Sequence, residues 1–117
     1  MTEPDMSPTR AVFERQLAAL GSGDIGALMA NYTSDAVLVR FDEIYVGTAG
    51  IRAAFSAYLA RRPKLVELAQ YAECGDTIFY RSAIDIDGQA KESIGTMVLN
   101  NGKIWRQTAA FLPGGIR

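Results

Sequence analysis

Three two-residue turn signals, Gly75-Asp76, Asp87-Gly88 and Asn101-Gly102, divide Lys64 to Leu112 into four extended runs rich in β-branched and aromatic residues. That spacing predicts four antiparallel strands joined by tight hairpins. Across the three turns, directly opposed residues have numbers that sum to 151, 175 and 203 in order, and opposed residues share a sheet face. One face is then expected to carry Phe79, Arg81, Asp85, Glu92, Trp105, Gln107 and Phe111. The other is expected to carry Tyr71, Ile78, Tyr80, Ile84, Gly95, Met97 and Ala110. Neither face is polar enough to be fully solvated, so helices should cover one and a second copy of the chain the other. The face with Trp105 and Phe111 is assigned to the helices. Its charged residues are costly to bury unpaired, which points to a cavity with polar groups aimed into it.

The N-terminal half supplies the cover. Residues 1–6 read as a loose tail, and Ser7-Pro8 then gives a capping hydroxyl followed by proline at the first helical position. Phe13, Leu17 and Leu20 form one apolar stripe, which Gly21-Ser22-Gly23 ends. Asp24 caps a second, shorter helix with Ile25, Leu28, Met29 and Tyr32 on one side. After a break at Thr33-Ser34-Asp35, Ala36 to Phe41 reads as a strand and Ile44 to Val46 as a short extended piece. Thr48 is expected to cap a third helix with Ile51, Phe55, Tyr58 and Leu59 on one face, and Pro63 stops it.

The whole chain, residues 1–117, reads as one domain, of a length that buries about 65% of the surface an unfolded chain exposes. A net charge of -1 without a basic block lacks the electrostatic footprint of a nucleic-acid binder. No apolar run approaches the ~20 residues of a membrane span. With no histidine in the chain, Ser-His-Asp and Cys-His relays and every His-based zinc site are excluded. No metal or cofactor is expected. Cys74 has no partner for an intramolecular disulfide and the N-terminal residues lack the apolar core of a signal peptide, so a cytoplasmic location is expected. The expected partners are a small lipophilic molecule and a second copy of the chain.

Several local motifs carry a family resemblance. Ala18-Ala19-Leu20-Gly21-Ser22-Gly23-Asp24 resembles the helix junction of ketosteroid isomerases, Asp35-Ala36 their first strand, and Gly47-Thr48-Ala49-Gly50-Ile51-Arg52-Ala53-Ala54-Phe55 the start of their third helix. Val66-Glu67-Leu68 and Asn101-Gly102-Lys103-Ile104 also fit. The chain thus resembles the NTF2-like superfamily and its SnoaL-like and ketosteroid isomerase-like branch over about residues 10–112. The resemblance implies an α+β, cone-shaped fold with three N-terminal helices packed on a strongly curved antiparallel sheet. It also implies a cofactor-free cavity, and either a carboxylate-based isomerase or cyclase or a non-catalytic ligand-binding or dimerisation module. In ketosteroid isomerases an aspartate shuttles the proton while a tyrosine and a protonated aspartic acid hold the oxygen that gains charge. By that resemblance the tyrosine position falls on Gln16, the base on Arg40 and the second acid on Gly95 or Ile94. All three groups are absent, so ordinary steroid isomerisation is not expected.

The remaining candidates come from strand alternation. Glu92, Asp42 and Asp85 are the carboxylates that could move a proton if burial raised their pKa. Arg81 and Arg40 could hold an anionic or enolate oxygen. Arg81 is diagonal to Glu92 in the derived register, so the two could instead form an internal ion pair, and Arg40 could pair with Asp42. Gln107, Gln16 and Tyr32 offer neutral hydrogen-bonding groups to a ligand. Phe55, Trp105 and Phe111 are expected in the cavity wall.

Overall fold

The computed structural model describes residues 6–112. The expected tail over residues 1–6 lies outside the described residues except for Met6, which is exposed. Helix α1 spans Pro8–Ser22, with the Ser7 hydroxyl accepting from the Arg10 N–H and Gly23 closing it at φ 71°. The short α2, Ile25–Met29, starts from the Asp24 carboxylate, which accepts from the Ala27 N–H. Strand β1, Tyr32–Val39, and β2, Ile44–Val46, precede α3, Gly47–Leu59. Four strands follow: β3 Lys64–Cys74, β4 Thr77–Ile86, β5 Gln89–Asn100 and β6 Lys103–Leu112.

Several local expectations shift. Tyr32 opens β1 instead of closing α2, and Thr33-Ser34-Asp35 lies inside that strand, where its pairing with β6 is irregular. The strand ends at Val39, which leaves Arg40 and Phe41 in a turn held by the Arg40 N–H donating to the Glu43 carbonyl at 2.9 Å. Thr48 does not cap α3: the cap position is Val46, with no side-chain hydrogen bond.

The six strands form one sheet in the order β2-β1-β6-β5-β4-β3. Every neighbouring pair is antiparallel except β1 and β6, which run parallel, a departure from an all-antiparallel sheet. Asp87-Gly88 and Asn101-Gly102 have positive φ at both positions, as the tightest hairpin turns require. The β4/β5 register follows the sum of 175 along its whole length, from Thr77↔Val98 to Ile86↔Gln89. The β5/β6 register does not. It starts at 203 with Asn100↔Lys103 and Leu99↔Ile104, then becomes 204 from Val98↔Arg106 onward. Trp105 is the extra residue, a bulge that moves every later β6 side chain to the opposite face. On β3, similar irregularities around Val66 and Ala69 change the sum from 151 at Gln70↔Arg81 to 149 at Lys64↔Asp85.

The helix-covered face is therefore the one expected to meet a second subunit. Ile78, Met97, Leu99 and Ile104 are buried there beneath the chain's own helices. Phe13 of α1 lies 4.9 Å from the Tyr71 ring and 5.3 Å from the Tyr80 ring, centroid to centroid. Burying a side chain of that size contributes about 1.5–3 kcal/mol. Gly95 also serves this inner packing, since a Cβ there would come within 2.5 Å of the Thr108 carbonyl oxygen and 2.7 Å of the Tyr80 hydroxyl. Of the residues expected to face a partner, Ala110 alone is on the outer face, opposite Ile94. Phe79, expected under the helices, is 47% exposed on that outer face. Among the described residues no helix is long and apolar enough to cross a membrane.

Candidate functional site

Helices α1 and α3 do not close completely on the sheet. Between them is a cavity of about 70 Å³. Phe13, Gln16, Leu17 and Leu20 of α1 form one wall, and Ala54, Phe55 and Tyr58 of α3 another. The sheet contributes Tyr80, Ser82, Ile84, Ser93, Met97, Gln107, Ala109 and Phe111, and Leu38 and Arg40 come from β1 and the turn after it. Most of this surface is apolar, as small-molecule sites commonly are.

The polar groups on the floor are ordered by a chain of hydrogen bonds that starts at the exposed Arg15 and is buried from Asn31 onward. Arg15 Nε donates to Asn31 Oδ1 at 3.5 Å, and Asn31 Nδ2 donates to Gln16 Oε1 at 3.1 Å. Gln16 Nε2 donates to the Tyr32 hydroxyl at 2.9 Å, and that hydroxyl donates to Gln107 Oε1. Because arginine only donates, each successive amide is oriented with its oxygen toward the previous donor. Gln107 thereby presents its NH2 group toward the cavity side. Burial pushes the Tyr32 hydroxyl well above its ordinary range, helped by the neighbouring Tyr80 and opposed by hydrogen bonds with Gln16 and Gln107. Burial also raises Tyr80, while Ser93 and Gln107, within hydrogen-bonding reach of its hydroxyl, pull it back. Tyr58 is pushed up to about 12, mainly by burial. These phenols are neutral hydrogen-bond donors at physiological pH and not bases.

The expected site is thus only partly assembled. Gln16, Gln107, Phe55, Phe111 and Arg40 line the cavity, and Tyr32 is directly behind it. Gln107 and Phe111 reach it because of the Trp105 bulge, on the face opposite Phe79 and Arg81. Trp105 itself is not in the wall: the Arg106 guanidinium lies 3.8 Å from its ring centroid, and its side chain adds to the Thr33 hydrogen bond that lowers the Asp35 carboxyl.

The three carboxylates are elsewhere. Glu92 and Asp85 are on the outer face, Asp42 is exposed in the turn after β1, and none lines the cavity. Arg81 is also outside, with Nε 2.6 Å from Glu92 Oε2 and Nη1 3.4 Å from Gln70 Oε1. The ion pair expected between Arg81 and Glu92 forms, but away from the cavity. The one-residue shift that reverses the sheet's faces puts Glu92, Asp85 and Arg81 outside the cavity, and the end of β1 at Val39 leaves Asp42 in an exposed turn. Arg40 is not paired with Asp42: among the described residues no carboxylate is within 4 Å of its guanidinium, which lies 5.7 Å from the Phe111 ring centroid. Tyr80, Ser82, Ser93 and Tyr58 were missed as wall residues. Only recognition of the bulge at Trp105 would have brought the first three to the helix side. Among the described residues, no group of three or more Cys, Asp or Glu side chains is placed to hold a metal ion.

Residues 13–107 match the model of the SnoaL-like domain. Comparison with curated proteins returns no match. Among solved structures, a proposed ketosteroid isomerase from Kribbella flavida DSM 17836 superposes with a TM-score of 0.83 at 14% identity, covering 97% of this chain and 84% of that one. A proposed polyketide cyclase from Sinorhizobium meliloti gives 0.76 at 17% identity, covering 90% of this chain and 100% of that one. An NTF2-like protein of unknown function from Burkholderia xenovorans LB400 gives 0.78 at 22% identity, covering 92% and 88%. At these identities the likeness is one of fold.

Proposed function

This chain belongs to the family of SnoaL-like domains, and from that premise we propose that it binds a small lipophilic carbonyl-type molecule in the cone cavity. One observation carries the reading: a mostly apolar wall with a few neutral amides and hydroxyls able to donate, with Arg40 as its one charged side chain and no carboxylate. Tyr80 and the NH2 groups of Gln16 and Gln107 supply donors for a ligand oxygen, and the aromatic and aliphatic walls take its body. Carboxylate acid-base chemistry is not carried forward, because Glu92, Asp85 and Asp42 do not reach the cavity. The donor set is instead that of a binding site that polarises an oxygen. Native mass spectrometry of the protein as purified tests this directly. A co-purified oxygen-bearing apolar molecule, released on denaturation, is expected; failure to retain or take up any such molecule opposes the reading.

The outer face of the sheet supports homodimerisation. Ile44, Val39, Thr108, Thr96, Phe79 and Ala72 pair successively across all six strands as a continuous neutral row. Thr96 and Thr108 hydrogen-bond each other at 2.7 Å, while Ile44 at 61% and Phe79 at 47% exposure leave apolar surface open. A second copy, meeting the same row about a two-fold axis, would cover it without desolvating an unpaired charge.

A further inference from the structure

We infer that the ligand class is a compact apolar monocarboxylate, with its carboxylate against Arg40 at the cavity mouth and its hydrocarbon body inside; this rests on the cavity being a binding site. The first observation is the state of Arg40. Three of the described arginines have a carboxylate partner, Arg10 with Glu14 at 2.7 Å, Arg61 with Asp87 at 3.0 Å and Arg81 with Glu92 at 2.6 Å; of those without one, Arg40 alone lines the cavity. Arg40 has none within 4 Å among the described residues, although Asp42 and Glu43 share its turn. Both are exposed, and the Glu43 carboxylate accepts from the Tyr45 hydroxyl at 3.2 Å. The half-buried guanidinium is instead near Phe111 and close enough to Tyr58 to lower the cost of ionising it. A guanidinium's planar fork of donors is the group that binds a carboxylate bidentately.

The second observation is where charge fits. Deep in the cavity are neutral amides and hydroxyls among apolar side chains, so an anionic group there would lack a cation. At the mouth one guanidinium matches one negative charge. A phosphate dianion would leave charge unbalanced. The third observation is size. The enclosed space of about 70 Å³ is about half of the roughly 150 Å³ that accommodates benzene. It therefore encloses only the end of a slim hydrocarbon, with the rest of the chain and its hydrated head toward the opening, where Arg40 is half-exposed.

Isothermal titration with hexanoate and its neutral counterpart hexanamide tests the assignment. The unmodified protein is expected to bind hexanoate about tenfold or more tightly than hexanamide, the range of a charge-assisted hydrogen bond. In Arg40→Met the ratio should collapse toward about one, and in Arg40→Lys part of it should remain, because the charge stays while the fork is lost. Thermal melting shows whether each variant is folded; if Arg40→Met is not, the ratio in the unmodified protein and in Arg40→Lys decides. Hexanamide binding as tightly as hexanoate, or a ratio that survives in folded Arg40→Met, overturns the anion assignment and leaves ligand binding standing. Binding of neither probe overturns the assignment and counts against ligand binding as well.

Discussion

The Tyr32 hydroxyl donates to Gln107 Oε1 at 2.5 Å, joining the first residue of β1 to the middle of β6. This contact exists because Trp105 is an extra residue in β6, without which Gln107 would point to the outer face. The bond closes a polar chain from the exposed Arg15 through Asn31 and Gln16, and Asn31, Gln16, Tyr32 and Gln107 are buried, where an unmatched donor is costly.

Replacing Gln107 by Leu keeps its bulk but leaves the Tyr32 hydroxyl without its acceptor. A loss of about 1–3 kcal/mol in urea denaturation is expected. An unchanged unfolding midpoint would mean that the Tyr32–Gln107 contact adds no net stability.

Much of the sheet was legible from the turn residues, because Asp87-Gly88 and Asn101-Gly102 adopt the left-handed backbone that their composition favours. The ten β4/β5 pairs then followed by counting. Bulges were not legible. Trp105, Val66 and Ala69 are ordinary strand residues, and no glycine or proline marks the added position. Nor could hydropathy choose the face, since Ser82 and Ser93 are buried inside while Phe79 and Ile94 are outside. One unseen residue therefore carried Glu92, Asp85 and Arg81 to the wrong side. Arg40, Gln16 and Phe55 line the cavity on elements that do not depend on the β5/β6 register.

Gly95 and Gly21 should respond oppositely to alanine. At Gly95 the new methyl would press on the Thr108 carbonyl and the Tyr80 hydroxyl, at 2.5 and 2.7 Å, with an expected cost of about 1–3 kcal/mol. At Gly21, inside α1, nothing lies within 4 Å of an added Cβ, and a gain of about 0.5–1 kcal/mol is expected. Chemical denaturation of the two variants side by side checks both signs.

Alkaline pH should destabilise the protein before it ionises the buried phenols. Tyr58 rises from 10.0 to about 12 on folding, and Tyr32 and Tyr80 are raised too, mainly by burial. A raised folded-state pKa means that the unfolded chain releases its protons first. The contribution is thus full below pH 10 and is lost as pH climbs toward and through 12. Melting temperatures should fall over that interval, and Tyr58→Phe should flatten part of the fall. A pH-independent melting temperature from neutrality to pH 12 would refute it.

Dimerisation through the outer face predicts a two-chain mass by light scattering at micromolar concentration. Phe79→Lys, which puts a charge in the neutral row while leaving the helix-covered face untouched, should shift the equilibrium to monomer. A monomer in the unmodified protein contradicts the dimer but not the cavity.

The most direct measurement of ligand binding is a backbone NMR titration with 2-heptanone, a slim neutral ketone, on the unmodified protein and on Ala109→Leu. Saturable shifts centred on Gln16, Tyr80, Ser93 and Gln107 are expected in the first and should disappear in the second, whose added side chain fills the cavity. Shifts that do not saturate, lie outside the cavity, or persist in Ala109→Leu would contradict the account.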